Sequence, residues 1–337
     1  MDWFELLTGF REGGYEDTRR RLAVDCQELR SLVNGRSYGI GELELVSLRS
    51  LRERVEAGGV LPGRLKVHNI RGDVRRLHQM PEYAGALFQV ASQFNLLEMV
   101  SPEVTPEQGV TRYQNDRTQG PACAIAAGAG TIYRNYFVPV AGKPGQTSTR
   151  QFDGLGDVGA ALGQELGRPV DKLWTMRNGY AMCSLEGLTA IGKHLRDLSA
   201  AETDSLRCLL RIGVHRDVEV TDADGPQRPI VSQAFCSALP VAYTNLPAPL
   251  WRPFAELVLE AAYEATISAA VLNAQRGASS IVLLTRLGGG AFGNDDVWID
   301  DAMRRSLAKA ADYALDVRLV SYGAPLRSML ELEKEFG

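Results

Sequence analysis

The chain has 337 residues, 45% of them hydrophobic and 23% charged, which suits one large or two ordinary globular domains and allows a sizeable core. Its 37 Lys and Arg against 41 Asp and Glu give a net charge of -4, without the basic field on which general nucleic-acid binding depends. The five cysteines stand singly with no C-x-x-C pair and the four histidines have no H-E-x-x-H spacing, so neither a disulfide framework, a structural zinc nor any other metal site is expected.

The amino terminus, MDWFELLTGFREGGYEDTRRRL, carries charges throughout and has no apolar stretch of signal-peptide length, and no apolar run approaches 18 residues. A reduced, cytoplasmic protein with no membrane partner is the expectation. From Asp17 to about Glu56 the spacing of Leu22, Val24, Leu29, Leu32 and Val33 predicts two or three helices, so residues 1–60 read as a helical extension in front of the main domain at 61–337.

Arg64–Ile70 then has strand character, broken by Gly72 and Asp73, and GALFQVA supplies a buried strand within Tyr83–Ala91. Further on, DRTQGPACAIAAGAGTIYRNYFV combines polar Thr118, Gln119, Arg134 and Asn135 with a run of small residues, Ala122–Gly130. That run suits close approach to a ligand or tight helix packing equally well. T-I-Y-R-N-Y-F is taken as a strand, with Tyr133, Tyr136 and Phe137 able to stack on a base.

Residues 146–205 form the least legible stretch, with a strand at Leu173–Met182 and a helix at Leu185–Leu198. A formal G-x-G-x-x-G at Gly154–Gly159 follows no buried strand, which argues against a dinucleotide fingerprint, and G-x-x-x-x-G-K-[ST] is absent. No bound cofactor is expected.

Ile230–Leu239, a long helix from about Pro253 to Gln275, strand Ile281–Leu284, helix Val297–Ala314 and strand Val317–Ser321 complete a strand-helix-strand alternation. It predicts an α/β fold, a largely parallel sheet with helices on both faces. In such a sheet ligands settle beyond the carboxyl ends of the strands. There the sequence gives up side chains, in LGGGAFGNDD.

Backbone without Cβ can bring N–H groups against a phosphate, and Asn294, Asp295 and Asp296 offer a cap to a helix whose amino end favours an anion. The chemistry indicated is an anion cradle; the alternative is a turn made of glycine for packing alone.

Several segments, in order, resemble the macrodomain superfamily: RGDVRRL, GALFQVASQFNLLE, and FAELVLEAAYEATISAAVLNAQRGASSIVLLTRLGGGAFGN. Within it the likeness is to the microbial poly(ADP-ribose) glycohydrolase-like branch, from LFQVASQFN, LGGGAFGNDD, VHRDVEV and IVSQAFCSALPVAYTN, over most of residues 64–323 apart from an apparent insertion at about 146–205. The resemblance implies a three-layer α/β/α mixed sheet that binds ADP-ribose or an ADP-ribosylated macromolecule. Nucleic acid would enter only as a modified substrate.

It also implies that Asp73, with Val74 in the same turn, faces the adenine, that Asn95 contacts the distal ribose, that Gly288, Gly289, Gly290, Ala291, Phe292, Gly293 and Asn294 wrap the diphosphate, and that Phe292 flanks it. The chain departs from the branch where chemistry matters. Asn95-Leu96-Leu97-Glu98-Met99 replaces a glycine loop, and the branch's Gln-Glu-Glu has no counterpart in TPEQGVTRYQNDRTQGPACA.

Hydrolysis of a glycosidic bond asks for a carboxyl group. Asp116 is the first candidate, followed by Glu107 and Glu98, against the ordinary alternative for each of a solvated loop charge. Cys123 is a conceivable nucleophile but is read as a buried thiol. Three functions stay open: an ADP-ribosyl hydrolase, a non-catalytic reader of ADP-ribosylated protein or nucleic acid, and an enzyme acting on another nucleotide-like substrate.

Overall fold

In the computed structural model, which describes residues 1–59, 61–225 and 227–337, the chain opens with helices α1 (Trp3–Thr8) and α2 (Tyr15–Arg20). Strands β1 (Leu22–Asp25), β2 (Glu28–Ser31) and β3 (Ser37–Gly39) then form a small antiparallel sheet. β4 (Glu42–Ser47) and helix α3 (Leu48–Ala57) follow. The helices expected across Leu22–Ser47 are therefore strands: Leu22 and Val24 stand two apart on β1, Val24 pairs with Leu29 of β2, and Cys26 and Gly35 turn the chain at positive φ. The expected boundary at residue 60 lies outside the described residues.

The main sheet uses β4, β5 (Lys66–Arg71), β6 (Leu87–Ala91), β11 (Arg211–Glu219), β12 (Ile230–Cys236), β13 (Ile281–Leu284) and β14 (Asp316–Ser321) in the order β4-β11-β12-β6-β13-β14-β5. The five strands from β12 to β5 run parallel, and β11 and β4 join antiparallel at one edge. This is the mixed α/β sheet expected.

Alternation along the strands separates two cores. Leu87, Ala234, Val282, Leu284, Val317 and Leu319 point into one, shared with α3, α8 (Leu185–Asp197), α10 (Ala248–Gln275) and α11 (Asp296–Lys309). Phe88, Val90, Phe235 and Leu283 point into the other, against α4 (Val74–Gln79) and α5 (Gln119–Ala126). Three layers result.

Thr131–Phe137, read as a strand, falls instead in helix α6 (Gly128–Tyr136), with Phe137 as its C-cap, and the short hairpin β7 (Pro139–Val140) and β8 (Lys143–Pro144) follows. The small residues before it serve packing: a Cβ on Gly128 would come within 2.8 Å of the Trp3 ring, and one on Gly130 within 3.1 Å of the His215 ring. Tyr136 is buried, donating its hydroxyl to Glu12, so it offers no stacking face.

Residues 146–205 hold helix α7 (Gly156–Leu166), the hairpin β9 (Trp174–Arg177) and β10 (Tyr180–Cys183), helix α8, capped by Ser184 accepting from Gly187 N–H, and the start of α9 (Ala200–Arg207). The expected strand at Leu173–Met182 is thus a two-stranded hairpin. Gly154–Gly159 opens α7 rather than leaving a strand. Among the described residues no helix is long and apolar enough to cross a membrane.

Candidate active site

The carboxyl ends of β5, β6, β12, β13 and β14 deliver their following loops to one rim of the sheet. A cavity of about 180 Å³ opens there between Ala91–Gln93, Glu98–Val100, Asp116–Pro121 and the loop Thr285–Phe292. A neighbouring one of about 600 Å³ shares Asp116, Thr118, Gln119 and Thr285 and reaches Asp73, Val74 and Tyr322. Joined, they have the size of a small-molecule site, roughly 300–1,000 Å³.

The glycine loop is pinned where it leaves β13. Thr285 N–H donates to Gln89 Oε1 at 3.2 Å, and Leu287 N–H to the Tyr263 hydroxyl at 2.8 Å. Gly288 has φ +75° and Gly293 φ +68°. An added Cβ at Gly288 would lie 2.5 Å from Ala238 Cβ, and one at Gly293 2.7 Å from Ala242 Cβ, so both glycines are needed for the turn itself. Asn294 closes the loop, donating to Leu239 O at 2.8 Å.

Gly290 differs: a Cβ there would meet nothing within 4 Å. Gly289 N–H donates to Arg286 O, Gly293 N–H to Gly290 O and Asn294 N–H to Gly288 O, but among the described residues no protein acceptor takes the N–H of Gly290, Ala291 or Phe292. Three successive donors without partners, on a loop lining a cavity, suit an anion. The amino end of α11 is not part of this provision. Asp295 caps it by accepting from Val297 N–H at 2.8 Å, and Asp296 turns to Arg286 at 2.6 Å, so the expectation that this helix end favours a ligand's charge is not met.

The three carboxylate candidates separate. Glu107 is tied to Ser148, accepting from its N–H at 2.8 Å and from its hydroxyl at 3.0 Å, and does not line either cavity. Asp116 lines both, half-buried, and accepts from Thr118 N–H at 2.8 Å. Glu98 lines the smaller cavity at 1% exposure. Both its oxygens lie 3.1 Å from Arg134 Nη2. Burial pushes its carboxyl up to about 7, against the opposing pull of Arg134 and of the Tyr113 hydroxyl.

Room for Glu98 is made by Gly120, near the amino end of α5. A side chain there would run into Ala91 O and crowd Glu98 Cγ at 3.1 Å. Gln119 is also spoken for, accepting from Ala91 N–H and donating to Gln89 O, both at 2.8 Å.

Asn95 lies away from the cavities: fully buried, it donates to Gln151 Oε1 at 2.8 Å and accepts from Leu97 N–H at 3.0 Å. Asp73 caps α4, accepting from Arg75 N–H at 2.9 Å, and lines the larger cavity with Val74. Cys123 is a buried thiol pushed well above its usual range by burial, the state of a core residue rather than a nucleophile.

Two aromatic contributions escaped sequence reading. Tyr322, 82% exposed just past β14, lines the larger cavity together with Asp73. Tyr180, brought by the β9–β10 hairpin, forms with Tyr243 and Phe292 a wall of rings with centroids 5.2–5.5 Å apart. A strand ending in an aromatic next to a rim loop was a signal available for Tyr322; Tyr180 gave none. Among the described residues there is no cluster of His, Cys, Asp and Glu able to hold a metal ion.

No family model matches the chain, and no curated protein matches it. It is similar to a crystal structure of poly(ADP-ribose) glycohydrolase from Deinococcus radiodurans in complex with ADP-ribose, at 12% identity and a TM-score of 0.46, over 87% of this chain and 93% of that one. A structure of the Thermomonospora curvata glycohydrolase matches at 14% identity and a TM-score of 0.43, over 95% and 94%.

Proposed function

We propose that the chain binds ADP-ribose along this groove and hydrolyses an ADP-ribosyl linkage, with Glu98 as the reacting carboxyl group. The observation that carries the reading is the set of three N–H groups, Gly290 to Phe292, without an acceptor among the described residues, beside the one of the three candidate carboxylates that is both buried and open to the cavity.

The diphosphate lies on those donors, the adenine reaches Asp73 with Tyr322 as its stacking face, and the anomeric carbon of the distal ribose comes to Glu98. A carboxyl held near 7 is populated in both protonation states around neutrality. Protonated, it gives its hydrogen to the departing oxygen as the glycosidic bond breaks. The resulting carboxylate stabilises the oxocarbenium-like ribose and then takes a proton from the attacking water, leaving free ADP-ribose and the alcohol and restoring Glu98.

Calorimetry with ADP-ribose tests the groove, and absence of binding at millimolar ligand removes the proposal. Release of ADP-ribose from a modified protein, lost in Glu98→Gln while binding persists, is the result expected of a hydrolase. Binding without turnover in the unmutated chain would make it a reader instead. The macromolecule carrying the modification belongs to the same proposal, as does a cytoplasmic location.

A further inference from the structure

Arg134 is fully buried in α6, and it is poorly satisfied for a guanidinium in that position. Nη2 serves Glu98 and the Thr131 hydroxyl at 3.0 Å, while Nε and Nη1 have no hydrogen-bond partner among the described residues. Its carbon centre stacks 3.7 Å over the ring of Phe235. A buried ion pair of this kind is weak as a source of stability, because the desolvation of two charges is several kcal/mol per ion and two apolar side chains of equal volume pack as well or better. The pair nevertheless stands at the wall of the cavity, with one member reaching it.

We propose that Arg134 is a positioning residue: through one nitrogen that touches both carboxylate oxygens it fixes the direction of the Glu98 carboxyl and keeps that group able to ionise while buried. The inference rests on the reading of Glu98 as the reacting group. The other titratable groups facing Glu98 are Tyr113, whose hydroxyl accepts from Glu98 N–H at 3.1 Å, Cys123 of α5, and Asp116 across the cavity; His215 of β11 lies beyond Arg134. Burial holds the hydroxyl and the thiol in their protonated forms and the imidazole neutral, so Arg134 is the cation that acts on the carboxyl.

The test compares Arg134→Gln and Arg134→Lys with the unmutated chain by two readouts: the pH dependence of ADP-ribose release from modified protein, and the titration of the Glu98 carboxyl carbon in ¹³C-glutamate NMR, assigned with Glu98→Gln. Arg134→Gln is expected to move the Glu98 midpoint and the alkaline limb of kcat up together by about one unit, a tenfold change in proton affinity. Arg134→Lys keeps the charge but is shorter and has no guanidinium plane to stack on Phe235, so the direction of the contact to Glu98 is no longer fixed and kcat falls about tenfold with little change in midpoint.

A midpoint in Arg134→Gln that stays within about 0.3 of the unmutated one, against the one-unit shift expected, overturns the proposal. So does unchanged kcat in both variants. If neither variant folds, the ¹⁵N signals of Arg134 in the unmutated chain decide it, since they must move with the Glu98 midpoint. Should the unmutated chain release no ADP-ribose, the hydrolase reading fails, while the NMR midpoints still report whether Arg134 governs Glu98.

Discussion

Gly288 and Gly290 are two residues apart in the same loop, and alanine at the two places is expected to act on different properties. At Gly288 the backbone sits at φ +75°, where an L-residue costs roughly 1–2 kcal/mol, and the new methyl would lie 2.5 Å from Ala238 Cβ and 2.7 Å from Asn294 Nδ2. Relief of that overlap adds about 1–3 kcal/mol. Gly288→Ala therefore loses about 2–5 kcal/mol of stability, a fall in Tm of at least about 4 °C at roughly 2 °C per kcal/mol for a chain of this length.

At Gly290 no strain of that sort exists and the methyl points into open space. Gly290→Ala keeps the Tm or raises it slightly, since alanine restricts the unfolded chain by about 0.4–1 kcal/mol. With an anion held by the N–H groups of Gly290, Ala291 and Phe292, a methyl on the first of them crowds it, so ADP-ribose binding is expected to weaken about tenfold, or about 1.4 kcal/mol. Differential scanning calorimetry and isothermal titration calorimetry on the two variants separate the effects. Gly290→Ala binding ADP-ribose within about twofold of the unmutated chain, against that tenfold expectation, would refute the cradle.

Glu107→Gln should leave turnover within about twofold, because its carboxylate only ties the Ser148 segment at the surface, whereas Glu98→Gln should lower it by roughly a hundredfold or more, the usual range for a general acid–base group; initial rates of ADP-ribose release rank the two. Tyr322→Ala should weaken ADP-ribose binding about tenfold without changing the Tm, as expected for an exposed ring whose loss of base stacking is about 1–3 kcal/mol. His78 is buried, donates through Nδ1 to Val74 O at 2.7 Å, stacks 3.7 Å from the Phe88 ring and is pushed down to about 4 by burial. Its neutral form is the one the fold accepts, so the stability it contributes is complete above its unfolded value of 6.5 and is lost as pH falls towards 4. Urea unfolding should show up to about 3 kcal/mol of acid-dependent loss in that window that is missing from His78→Gln. Glu98, pushed the other way, loses stability as pH rises through about 7, and Glu98→Gln should remove that slope.

What could be read from the chain without its fold follows from how local each determinant is. β13 and α8 announced themselves because an apolar run bounded by Ser and Gly, and a helical stripe after Ser184, are complete within a dozen residues. Leu22–Ser47 misled, since its apolar residues satisfy two periods at once and only pairing with β3 and β11 decides between them. T-I-Y-R-N-Y-F misled for the opposite reason: its aromatic and β-branched residues favour a strand, and the contacts of Gly128 with Trp3 and of Gly130 with His215 override that preference from distant parts of the chain.

The carboxylates show the same division at the level of chemistry. Asp116 and Glu107 stand in polar loops, where an acid near a binding motif attracts notice, while Glu98 is embedded in Phe94-Asn95-Leu96-Leu97-Glu98-Met99-Val100. A single acid in an apolar run is itself a signal, because an ionised group flanked that way must be buried, and a buried carboxyl must find a cation or hold its proton. Glu98 does both, with Arg134 behind it and a proton affinity raised by burial. The partner could not be named from the sequence: Arg134 lies 36 positions further on, in a segment read as a strand, and only the turn of α6 against β11 brings it inward. A buried carboxyl group of this type is therefore specified twice, by its apolar neighbours in the chain and by one cation supplied through the fold, and the first half is enough to set Glu98 apart from acids whose surroundings are already polar.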